Sequence, residues 1–104
     1  MVRNGIYLNT DDILQFCQHW KIKSIDLFGS ILRDDFGPNS DIDFLVVWDD
    51  DADWDLCDHI DMEIELSSIL GRKVDIVSRQ LIETSENRFR KRAILSTAEP
   101  LIAR

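Results

Sequence analysis

Apolar side chains return along this chain with two different periods, and the alternation between them lays out the fold. Ile13, Phe16, Cys17 and Trp20 recur at helical spacing, one face of an amphipathic helix turned toward a core. Thr10 is the predicted N-cap, with Asp11 and Asp12 suiting the positive end of the first turn. Over Lys21 to Phe28 the pattern changes, and Ile22, Ile25 and Leu27 mark a first strand. Gly29 ends it, and a short helix is predicted from Ser30. Phe36-Gly37-Pro38-Asn39-Ser40 is a dense turn signal. It delivers the chain into a second strand over Asp41 to Trp48, rich in Ile, Phe, Val and Trp.

After an acidic loop over Asp49 to Asp53, Asp53 or Asp55 can cap a helix running to about Leu70. Leu56, Ile60, Ile64 and Ser67 form one of its stripes; Met62, Leu66 and Ile69 form another, read as a second core face. Met62 to Leu66 also alternates like a strand, but the length and the Leu, Met and Glu content favour helix. Gly71 is placed to stop it. Lys73 to Ser78 reads as a third strand. A last helix follows over Gln80 to Ala98, carrying Phe89, Ala93 and Ile94, before Pro100 interrupts it. The expected fold is α/β (α+β), a small mixed β-sheet flanked by helices, in one domain spanning residues 1–104.

Composition narrows the function. The chain has 104 residues, 44% of them hydrophobic, enough to bury roughly 65% of the unfolded surface without a staple. A formal net charge of −8 argues against direct nucleic-acid binding, since phosphate backbones are held by lysine and arginine. Charge is segregated: Asp49 to Asp61 carries seven aspartates, and Arg88 to Arg92 carries four cations. Cys17 and Cys57 form no C-x-x-C pair and read as small buried thiols in a reducing cytoplasm. No basic-then-apolar leader and no apolar run of about 18 residues is seen, so neither secretion nor a membrane span is expected.

Three places can carry chemistry. Glycine at the strand-to-helix turn Gly29-Ser30 allows positive φ and close ligand approach. A helix starting at Ser30 offers free N–H groups to phosphate oxygens; alone, such a pair is most often an ordinary turn. Asp41 and Asp43 stand at i and i+2 of a strand, on one face, with Cα atoms roughly 6.6 Å apart. Carboxylates so placed can reach a metal pair roughly 3.5–4 Å apart, although a lone D-x-D is more often a cap and an edge residue. Asp75, between Val74 and Ile76-Val77 in an expected central strand, is costly to bury without a partner. Placing it beside Asp41 and Asp43 with a cation between them supplies that partner. Carboxylate oxygens suit Mg²⁺, which keeps waters and binds triphosphate oxygens simultaneously.

Together these elements resemble the minimal nucleotidyltransferases, a group of antitoxins in the DNA polymerase β-like superfamily. The likeness rests on Phe28-Gly29-Ser30, then about ten residues, then Asp41-Ile42-Asp43-Phe44, and later Val74-Asp75-Ile76. It covers most of residues 24–78, and Ala98-Glu99-Pro100-Leu101 is also similar. The resemblance implies a polymerase β palm-like fold, Mg²⁺ (two ions) on Asp41, Asp43 and Asp75, and ATP as substrate at Gly29 and Ser30. Asp75 would also draw the nucleophile toward deprotonation. It further implies AMP transfer to a tyrosine hydroxyl of a HEPN-type ribonuclease toxin, as the antitoxin of a type VII-like pair forming a hetero-oligomer. Alternatives are a non-catalytic antitoxin that covers its partner, and transfer to a small molecule, for which no second domain is available. Template-directed polymerisation ranks lower, with no nucleic-acid grip in the chain.

Arg33, one turn after Ser30, is a candidate phosphate ligand against a plain solvated arginine. Arg88, Lys91 and Arg92 share a helical face that could meet triphosphate or an acidic partner; a solvated face, with Glu86 and Arg90 paired, is the simpler reading. The acidic run fails the calcium-loop template: counted from Asp49, the sixth position is Trp54 and the twelfth Ile60. His19 and His59 lack zinc-like spacing to the cysteines.

Overall fold

The computed structural model describes all residues 1–104. Its elements are strands β1 (Val2–Arg3) and β2 (Ile6–Tyr7), helix α1 (Thr10–His19), β3 (Ile22–Phe28), a 3-10 turn (Gly29–Leu32) and β4 (Ile42–Trp48). Then come α2 (Leu56–Leu70), β5 (Val74–Ser78), α3 (Arg79–Glu83), α4 (Arg88–Thr97) and β6 (Glu99–Ala103). The main sheet is mixed, ordered β5-β4-β3-β6, with β4 and β5 parallel and the other neighbours antiparallel. The expected fold class is observed.

One sheet face carries the core. Ile25 and Leu27 of β3, Ile42, Phe44 and Val46 of β4, and Val74 and Ile76 of β5 point to it. Against them pack Ile13, Phe16 and Cys17 of α1 and Met62 and Leu66 of α2. The second α2 stripe is therefore core, whereas Leu56, Ile60 and Ile64 stay exposed. Asp55 caps α2 through a reciprocal capping box with Asp58, and Gly71 closes it at φ 66°. The opposite face is only half covered: α3 and α4 lay Ile82, Ile94 and Leu95 over Phe28, Leu45 and Val77.

Several sequence expectations change. The N-cap of α1 is Asn9, whose side chain accepts from the Asp12 N–H, rather than Thr10. The single last helix is two: Ser78 caps α3 and Asn87 caps α4, each side chain competing with helix continuation for a backbone N–H. Glu86 therefore lies outside α4, and the Glu86–Arg90 pair does not form. Beyond Pro100 the chain forms an edge strand, where a missing N–H is tolerated. Both cysteines are free; Cys17 is buried but Cys57 is exposed near the start of α2.

Asp75 is the main correction. Its strand, β5, is an edge strand and its side chain is exposed, so no burial cost needs explaining. The outward N–H groups of that edge are nevertheless occupied from α2. The Ile76 N–H donates to Glu63 Oε2 at 2.8 Å and the Val74 N–H to Ser67 Oγ at 3.3 Å. No helix is long and apolar enough to cross a membrane.

Candidate active site

The parallel register of β4 and β5 sets Asp43 directly beside Asp75, with neighbouring strands about 4.8 Å apart. Asp41, two residues earlier, shares that face. All three carboxylates lie on the half-covered side of the sheet, beyond the end of the Phe28, Leu45 and Ile82 cluster. On the other flank Phe28 pairs with Asp43, so Gly29 falls against the Asp43 side chain. Five of the six sequence-predicted positions, Gly29, Ser30, Asp41, Asp43 and Asp75, thus meet at one end of the open face.

Gly29 is required there twice over. Its φ of +77° suits a residue without Cβ, and an added Cβ would stand 3.2 Å from Asp43 Cγ and closer still to Oδ2. The helix predicted at Ser30 is only a four-residue 3-10 turn. Its dipole is correspondingly small, which leaves the backbone N–H groups and the Ser30 hydroxyl as the donors this turn can offer an anion.

Electrostatics report the convergence. The Asp43 carboxyl is raised to about 6, first by burial, then by the charges of Asp75 and Asp41, with Arg33 opposing. Arg33 is exposed and pairs with Asp35 at 3.2 Å, yet its charge is felt at Asp43. Lys73 Nζ lies 4.0 Å from Asp41 Oδ2. The basic residues of α4 are not among the groups acting on Asp43.

These residues fit a magnesium ion. The donors are all hard carboxylate oxygens, and the negative charge they gather is poorly compensated. No three histidine, cysteine or acidic side chains are grouped so as to hold a metal ion together, so the three-aspartate ligand set implied by the resemblance is not assembled here; what remains is one or two carboxylates, the number Mg²⁺ takes when water and phosphate fill its other positions.

Two supporting features escaped the sequence reading. Asn4, in the β1–β2 hairpin, donates through Nδ2 to the carbonyls of Ile31 at 2.7 Å and Arg33 at 2.8 Å, bracing the Gly29 turn. The dipeptide Asn4-Gly5, with φ of 49° and 79°, is the hairpin signal that could have located it. Arg79 Nη1 lies 2.8 Å from Asp26 Oδ2, tying α3 across β3. Asp26 is 7% exposed, and desolvation holds its carboxyl above the usual range despite Arg79.

The sequence matches the family described as the nucleotidyltransferase domain over residues 13–99. The chain belongs to that family. Among similar chains is a candidate protein adenylyltransferase of Methanocaldococcus jannaschii, 36% identical over 63 residues, which are 61% of this chain and 63% of that one. The match thus spans slightly under two thirds of that relative's length. A candidate minimal nucleotidyltransferase of known structure is 30% identical, with a TM-score of 0.66 over 88% of this chain and 87% of that one. A toxin–antitoxin crystallised with AMP-PNP aligns at 23% identity with a TM-score of 0.69, covering 93% of this chain and 75% of the other. A complex of tri-AMPylated Shewanella oneidensis HEPN toxin with MNT antitoxin aligns at 21% identity and TM-score 0.61, covering 91% and 70%. The last two establish fold alone.

Proposed function

We propose that this chain is a magnesium-dependent nucleotidyltransferase that moves AMP from ATP to a tyrosine hydroxyl of a HEPN-type toxin, and so acts as its antitoxin. The observation that carries the reading is the Asp43–Asp75 pair across β4 and β5, held against Gly29. Family membership gives the reaction class. The AMP-bearing HEPN toxin belongs to a similar complex and suggests the acceptor here. Retention of all three aspartates and the glycine favours an active enzyme over a protein that merely covers its partner.

In this reading the backbone N–H groups after Gly29 and the Ser30 hydroxyl bind the outer phosphates, and Arg33 leaves Asp35 to join them. Asp41 and Asp43 would hold Mg²⁺, which would neutralise the triphosphate and acidify a nearby hydroxyl. Asp75, the most exposed of the three, faces the incoming acceptor and orients its hydroxyl. The acceptor oxygen bonds to the α-phosphorus, the bond to diphosphate breaks, and the acceptor proton leaves toward Asp75 or water. Positioning and charge compensation supply most of the acceleration.

The test is incubation of the chain, a HEPN-type toxin encoded in the same genome, Mg²⁺ and α-labelled ATP. Label on the toxin that disappears with Asp43→Asn or Asp75→Asn supports transfer. A tight complex that never acquires label would instead make the protein a cover.

A further inference from the structure

Far from the three carboxylates, the carboxyl ends of β4 and β5 open into a groove of about 910 Å³ between the start of α2 and α3. Trp48, on its wall, lies five residues beyond Asp43, about 16 Å along the strand. Ligands of open α/β sheets favour this end, and none of the groups described above uses it. Its floor is apolar, from Met62, Ile76 and Val77, and two indole rings, Trp48 and Trp54, flank it. Asp49, Asp50, Asp55 and Glu83 give it acidic edges and no lysine or arginine lines it; Asp49 already faces Arg104 and Glu83 faces Arg79, each at 3.9 Å, while Asp50 has no ion-pair partner.

The complementary surface is on the same chain. Arg88, Arg90, Lys91 and Arg92 have no acidic partner within ion-pair distance, and the Phe89 ring among them is 90% exposed. A bare aromatic ring inside a cationic run matches an aromatic floor with acidic edges. A chain cannot fill its own groove this way, because α3 packs directly against α4 and stands between them.

We propose that the groove receives the Arg88–Arg92 segment of a second copy of this chain, in a reciprocal dimer. Phe89 enters between Trp48 and Trp54, and the guanidinium groups meet Asp50.

Sedimentation equilibrium of the full chain tests this across protein concentration and from low to high salt. A monomer–dimer equilibrium that weakens with salt is expected, and Phe89→Ser should raise its dissociation constant by about tenfold or more. Arg90→Glu and Asp50→Arg should each weaken the homodimer. Mixing those two variants should restore a dimer, since both contacts of the mixed pair are again between opposite charges. Circular dichroism of each variant checks that these surface changes leave the fold intact. A chain that stays monomeric throughout overturns the proposal, as does a dimer indifferent to Phe89 or a mixture that fails to recover.

Discussion

Replacing Asp43 by asparagine should stabilise this protein while abolishing its chemistry. An acid whose folded value lies near 6, against about 3.9 in an unfolded chain, holds its proton more tightly when folded. Its contribution is therefore most favourable below about pH 4 and is lost as pH rises through 6. That difference corresponds to about 3 kcal/mol, reduced to about 2 kcal/mol because the side chain keeps partial contact with water. The asparagine amide carries no charge to repel Asp41 and Asp75. At pH 8 without divalent ions, the Asp43→Asn chain should thus unfold on the order of 10 °C higher. Thermal unfolding followed by circular dichroism from pH 4 to 8 reads this, and the gap should close toward pH 4. Added Mg²⁺ should narrow it at pH 8, since a cation held by the carboxylates stabilises the native wild type alone. Equal stability at pH 8, or a gap independent of pH, would refute convergence of the three carboxylates.

Other outcomes follow from the same geometry. Gly29→Ala should cost about 1–2 kcal/mol for the left-handed backbone and displace Asp43, lowering the proposed AMP transfer about 100-fold or more; denaturant titration and labelled-ATP kinetics measure the two effects. Arg79→Met should leave Asp26 buried and unpaired, destabilising by about 3 kcal/mol and more severely as pH rises and Asp26 ionises, with Asp26→Asn in the same chain recovering most of the loss. Burial pushes the Cys17 thiol up to about 11, so a thiol reagent at pH 8 should titrate Cys57 promptly and Cys17 only on unfolding.

Much of this was legible because the informative residues were punctuation within strong periodic runs. Gly29 closes one strand, Asp41 and Asp43 open the next, and Val74 to Val77 could only be a strand. The strand position of Asp75 said nothing about its neighbours, however. Whether β5 is central or at an edge depends on which strand β6 joins, and Pro100 disguised β6 as a helix stop. The division of the last helix was equally hidden, because Ser78 and Asn87 cap only once α3 and α4 are fixed against Phe28 and Leu45. Leu56, Ile60 and Ile64 looked like a core stripe, yet the sheet meets α2 through Met62 and Leu66. Periodicity marks apolar faces without saying which one the sheet will meet.

The hydrogen bonds from β5 to Glu63 and Ser67 have a consequence for how an acceptor arrives. With that margin of the sheet already occupied, an incoming polypeptide gains nothing by presenting itself as another strand. It must come down onto the uncovered face, where only its hydroxyl needs to enter. For the acceptor proposed above, a tyrosine on a helix, a loop or a frayed tail would serve equally well, and the choice among them would fall to whatever holds the two proteins together.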